Sequence, residues 1–182
     1  MKFLTELDVA GDRDAWQAAG FAVAAEDRVA LSQVSLCLGT TEQGIGPWRL
    51  REDPPAPRLD DHPNGAVALD HLVVFTDDPA RTTTSFADHG WSARRVREVG
   101  NGRTQTFFRS GEVIIELVGP IAGIAGEQNW GLAITVRDLD ACAVLLGDRL
   151  GAIKDAVQPG RRIATLHHEA CGLTVPIAFM SA

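Results

Sequence analysis

A chain of 182 residues, 45% hydrophobic and 23% charged, is long enough for a compact domain with a sizeable core. Acids outnumber lysines and arginines 24 to 17, a net charge of −7 that excludes a general nucleic-acid binder, because phosphate binding needs clustered cations. No apolar run approaches the roughly 20 residues that span a bilayer, and Glu6 and Asp8 stand where a leader peptide would be apolar.

The N-terminal segment, 1–51, reads as a short βαβββ-like unit. Residues 3–9 suit a strand, 12–19 a short helix ending at Gly20, and 21–25, 29–38 and 48–51 further strands. Residues 52–68 hold four prolines and four acids. Proline fixes φ and lacks a backbone donor, so this stretch is expected to be an irregular connector lying loosely across the surface. A unit of about 50 residues is marginal alone, so one cooperative body is expected.

From residue 69 the chain repeats itself. Leu69-Asp70-His71-Leu72-Val73-Val74-Phe75 and Trp130-Gly131-Leu132-Ala133-Ile134-Thr135-Val136 are both strand-like, and Asp78 and Asp138 follow at matching places, each suited to cap a helix. The helices are expected to run to Gly90 and Gly151, the second with Leu139, Cys142, Leu145, Leu146 and Leu150 as an apolar stripe. Three strand-like runs follow each helix: 92–99, 103–109 and 112–118 in one copy, 153–157, 161–167 and 173–180 in the other. Asn101-Gly102, Ser110-Gly111, Pro159-Gly160 and Cys171-Gly172 mark the turns. The copies are offset by 60 residues at His71/Gly131 and by 61 at Glu116/Ile177.

Tandem βαβββ units, an opening LDHLVV strand, an aspartate at the helix start and a closing VIIELV strand resemble the vicinal-oxygen-chelate superfamily of glyoxalases, bleomycin-resistance proteins and dioxygenases. The resemblance covers 69–180 well and 1–51 weakly. It implies an α+β fold in which paired βαβββ units (69–182) form curved mixed sheets around a cleft. It also implies a divalent metal held by first- and last-strand residues, with open positions where vicinal oxygens of a substrate bind. His71 and Glu116 occupy such positions in the first clear copy. Their counterparts, Gly131 and Ile177 with Pro176 beside it, offer no ligating side chain. If the N-terminal unit paired instead, Glu6 could supply an oxygen. The fold is shared by proteins of many functions, so it does not choose among them.

The bland readings stand beside these. Glu116 in an apolar strand can be a carboxylate paired with Arg103 or Arg109, and His71 a histidine bonded within the sheet. Arg161 or Arg162, after the Pro159-Gly160 turn, can clamp an anionic group through its planar fork or sit on a solvated hairpin. Arg94, Arg95 and Arg97 read more readily as surface. Phe108 and Trp130, with Phe107 and Phe179, suit either a pocket wall or the core. His167-His168-Glu169 reads as a strand end rather than a metal cluster. Cys37, Cys142 and Cys171, with no CxxC, read as reduced thiols of a cytoplasmic protein. No GxSxG, GxGxxG or GxxxxGK[ST] occurs.

Two functional expectations follow. One is a glyoxalase-like protein with an incomplete metal-ligand set, binding a small anionic or apolar metabolite. The other is a metal-dependent lyase, isomerase or extradiol-type dioxygenase using His71 and Glu116 as ligand and base. The expected partners are a small-molecule ligand and a second copy of the chain in a homodimer, with no nucleic acid and no membrane.

Overall fold

Three aspartates start the three α-helices, as local capping chemistry predicts. Asp12 accepts the N–H of Ala15 at the head of α1 (Arg13–Ala18). Asp78 accepts from Ala80 and Arg81 before α2 (Pro79–Ala87). Asp138 accepts from Asp140 and Ala141 before α3 (Leu139–Leu146). The last helix ends at Gly147 and continues as a 3-10 turn, Gly147–Arg149, so it stops short of Gly151.

The structure is a computed structural model describing residues 1–182, the side chain of Leu59 excepted. Its strands in chain order are β1 (Phe3–Val9), β2 (Arg28–Ser32), β3 (Val34–Leu38), β4 (Ile45–Arg51), β5 (Arg58–Leu59), β6 (Ala66–Thr76), β7 (Arg95–Gly100), β8 (Arg103–Ser110), β9 (Val113–Gly119), β10 (Glu127–Val136), β11 (Lys154–Asp155), β12 (Arg162–Thr165) and β13 (Ile177–Ser181). Asn101 and Gly102 join β7 to β8 with positive φ at both residues, 53° and 69°, the backbone that a two-residue hairpin loop requires.

The second and third units merge into one eight-stranded sheet, ordered β11-β12-β13-β10-β6-β9-β8-β7. In each unit the first strand runs parallel to the last, β6 with β9 and β10 with β13, and the two first strands meet antiparallel at the centre. The fold is α+β, with curled mixed sheet built from βαβββ units.

The N-terminal unit forms a separate five-stranded sheet, β4-β1-β3-β2-β5. Two expectations for it need correction. Residues 21–25 make no strand beyond one bridge from Ala24 to Arg28, and 29–38 is a hairpin, β2 and β3, turning near Ser32. β4 lies antiparallel beside β1, on the edge where the other units pair through their first strands. That coverage is why β1 pairs with no strand of another unit, although the Leu4 N–H donates to Oγ of Ser110 on β8.

Instead the N-terminal unit packs mainly behind the large sheet, with only Met1 of its residues reaching the lining of the open face. Phe21 approaches Phe179 of β13 at 5.9 Å, and Trp48 approaches Phe86 of α2 at 5.8 Å. One hydrophobic cluster includes residues from all three units. The connector is also more tightly held than its composition predicts. His62 is buried between the Ala22 N–H and the Ala30 carbonyl, and the Asn64 amide donates to the Ala19 carbonyl. No helix among the described residues is long and apolar enough to cross a membrane.

Candidate functional site

The open face of the eight-stranded sheet is a cleft of about 1150 Å³, and both sheet ends, β7 and β11, contribute to its lining. Strand alternation decides what faces it. On β8 the residues Gln105 and Phe107 line it, and on β9 Ile114 and Glu116; on β6 they are His71 and Val73, and on β13 Ala178 and Met180. Cross-strand register arranges these in rows. One row reads Arg95, Phe107, Glu116, Val73, Gly131; the next reads Arg109, Ile114, His71, Ala133, Ala178.

His71 and Glu116 therefore converge on one polar node within apolar walls. Oε1 of Glu116 accepts a 2.7 Å hydrogen bond from the Gln105 amide. Burial pushes the Glu116 carboxyl above its usual range, against the lowering pull of His71 and Arg97. His71 is 4% exposed, and its Nε2 lies 3.5 Å from the Gln158 amide nitrogen. Its Nδ1 sits 2.5 Å from Oδ2 of Asp70. That contact runs off the N–H axis, so neither atom has a well-directed hydrogen bond. Burial raises the Asp70 carboxyl, but contact with His71 and an ion pair with Arg161 at 2.9 Å outweigh it and bring it down to about 2. The node thus offers a carboxyl that holds its proton more readily than usual, beside an imidazole backed by a carboxylate.

The other expected site residues divide between the cleft and positions outside it. Trp130 lines the cleft, 44% exposed and stacked on Phe75 at 4.8 Å. Phe108 borders the cleft, but its side chain is fully buried, with the ring 5.1 Å from that of Phe86 of α2; Phe107, its neighbour on the other strand face, also lines the cleft. Arg161 is held by Asp70, Thr135 and the Ser181 carbonyl. Arg162 forms a two-pronged pair with Asp140 on α3. Neither is among the residues lining the cleft; the arginines that line it are Arg94, Arg95, Arg97 and Arg109. The first three read as surface from sequence, although the period-two spacing of Arg95 and Arg97 puts them on one face.

Register also corrects the metal comparison. Val73 pairs with Glu116, and its counterpart Ala133 pairs with Ala178. Ala178, rather than Ile177, is the counterpart of Glu116, and Ile177 lies in the core cluster. The two halves thus set His71 and Glu116 against Gly131 and Ala178. No group of three or more His, Cys, Asp or Glu among the described residues could hold a metal ion, and His167-His168-Glu169, partly a 3-10 turn, is no exception. A divalent-metal site of three or four protein ligands does not fit this cleft.

No protein-family model matches the chain, and no curated protein matches it. Solved structures do match in fold. Methylmalonyl-CoA epimerase from Mycobacterium tuberculosis superposes with a TM-score of 0.51 at 21% identity, covering 64% of this chain and 89% of that one. This is the vicinal-oxygen-chelate fold. A substituted form of the Streptomyces coelicolor methylmalonyl-CoA epimerase, in complex with 2-nitronate-propionyl-CoA, gives 0.50 at 21% identity, with 64% and 95% covered. A hypothetical protein from Bacillus halodurans C-125 gives 0.50 at 17% identity, with 63% and 93% covered. The paired second and third units alone build the vicinal-oxygen-chelate half-barrel here, and the N-terminal unit is an addition behind it.

Proposed function

We propose that this chain binds a small organic molecule in the cleft of its vicinal-oxygen-chelate fold, with an incomplete metal-ligand set. The observation that carries the reading is the one-sided cleft: His71 and Glu116 sit on one half and Gly131 and Ala178 at the matching places on the other. Apolar walls with few convergent polar groups are the usual make-up of a small-molecule site. The ligand's apolar part meets Val73, Phe107, Ile114 and Met180, and its polar part meets the His71–Glu116 node. The Streptomyces coelicolor epimerase of like fold is in complex with 2-nitronate-propionyl-CoA, which supports the same use of the fold here. Three buried, unpaired cysteines support a reducing, cytoplasmic setting.

A fluorescence titration with the neutral probe N-phenyl-1-naphthylamine tests the reading. Saturable binding is expected, and Ala178→Trp, which fills the cleft from its floor, should weaken it by about tenfold or more. Binding that Ala178→Trp leaves untouched would place the probe elsewhere and overturn the proposal. Elemental analysis of protein purified without chelator is the second check. A stoichiometric divalent ion lost in His71→Ala would overturn the incomplete ligand set.

A further inference from the structure

The charge around the cleft runs opposite to that of the chain. Arg94, Arg95, Arg97, Arg109 and Lys154 line it, against only Glu116 and Asp155, in a protein whose net charge is −7. The ion pairs among the described residues engage seven arginines outside the lining. None of the five cations lining the cleft takes part in an ion pair, and only Arg109 has a polar tether, to the Glu112 carbonyl. Cations without an ion-pair contact beside a low-dielectric wall focus a positive potential into the cavity, Arg97 being also drawn to the Glu116 carboxylate at longer range.

Two of them are geometrically matched. Arg95 and Arg97 are separated by one residue on β7, so both point to the cleft face, opposite Phe107 and Gln105 of β8, while Val96 between them is 61% exposed. The register row then runs from Arg95 through Phe107 to Glu116 and on to Val73. Adjacent strands lie about 4.8 Å apart, so Arg95 and the Glu116 node stand roughly 10 Å apart along the sheet, with the Phe107 ring between them.

We propose that Arg95 and Arg97 form the head-group site of the cleft, which takes an amphipathic organic anion. Its carboxylate, sulfonate or phosphate bonds to the two guanidinium groups at the β7 edge. Its apolar body crosses Phe107 toward Val73, and a polar group about 10 Å from the head reaches Glu116 and His71. Planar guanidinium forks suit such oxyanions better than a single ammonium does. This inference rests on the small-molecule reading of the cleft and adds the charge and the position of the head group.

The test compares two probes with the same aromatic body: 8-anilinonaphthalene-1-sulfonate and neutral N-phenyl-1-naphthylamine. In the wild type the sulfonate should bind about tenfold more tightly, and rising salt should narrow the gap. The double substitution Arg95→Gln/Arg97→Gln should remove that preference, so that the two probes bind with similar Kd values. Arg51→Gln/Arg58→Gln, an equal loss of charge on the N-terminal unit, should keep the preference. Circular dichroism should show both variants folded, as expected for exposed positions, and Arg95→Lys/Arg97→Lys should retain part of the preference in any case. If the neutral probe binds and the sulfonate gains nothing, or if the control pair loses as much as the β7 pair, the head-group site is wrong while the cleft reading stands. If neither probe binds the wild type, the cleft reading itself fails.

Discussion

The two halves of the eight-stranded sheet agree on one face and diverge on the other. Behind the sheet, Leu72 matches Leu132, Val74 matches Ile134, Ile115 matches Ile177 and Leu117 matches Phe179, all buried. Phe86 of α2 and Leu146 of α3 stand at the same distance from their capping aspartates. On the cleft face the matching pairs are His71 with Gly131, Val73 with Ala133 and Glu116 with Ala178. The back face must fill space against helices and the N-terminal unit, so both copies keep large apolar side chains there. The cleft face packs against nothing, so its side chains are free to differ. One half supplies polar contacts and the other a smooth apolar wall.

That contrast can be broken most directly by making the halves alike. Gly131→His with Ala178→Glu gives the apolar half the ligand types of the polar half. A Cβ at Gly131 would meet the Pro176 carbonyl oxygen at 3.3 Å, so Pro176 must yield by a few tenths of an ångström. The double variant should bind Co²⁺ at least about a hundredfold more tightly than the wild type, read from visible absorption, because four convergent ligands replace two. A wild type that already binds Co²⁺ as tightly would refute the one-sided cleft.

The next effect is smaller and belongs to the polar half alone. Asp70, whose counterpart is Trp130, titrates near 2 when folded against an ordinary 3.8. A depressed folded pKa means stability that is fully present above about pH 4 and lost as pH falls toward 2. Its size is about 2 kcal/mol. Urea unfolding of the wild type should show this loss between pH 4 and 2, and Asp70→Asn should start lower by a similar amount and lack that part of the slope. Equal slopes for the two proteins would mean that Arg161 and His71 do not hold the carboxylate.

Local chemistry made much of this fold legible. Asp78 and Asp138 mark helix starts because capping involves only the next few residues, and Asn101-Gly102 marks a hairpin because both residues tolerate positive φ. The unit pairing was not legible, since it depends on β4 covering the edge of β1, a contact between residues some 40 positions apart. The same holds within the site. His71, Glu116, Trp130 and Phe108 all border the cleft, but the Phe108 side chain is buried and Phe107 stands on the other face of the strand. Ile177 missed by one because the last strands of the two copies are offset by 62 residues in register. Sequence spacing cannot fix such a step, and one residue reverses the face of a strand.

The arginines carry the smallest predicted effect and the sharpest choice. Arg161 and Arg162 follow a turn and look like an anion clamp, whereas Arg95 and Arg97 sit on an exposed edge strand. The structure gives the first pair internal partners, Asp70 and Asp140, and leaves the second pair facing the cleft. Arg162 and Asp140 are both solvent-exposed, so water and salt screen their attraction. Arg162→Gln should therefore leave both the melting temperature and the Kd for 8-anilinonaphthalene-1-sulfonate unchanged within error. Calorimetry and the same fluorescence titration read the two quantities. A tenfold loss of sulfonate binding in Arg162→Gln would return the anion site to β12 and to the polar contacts of the third unit, and the division of labour between the two halves would no longer hold.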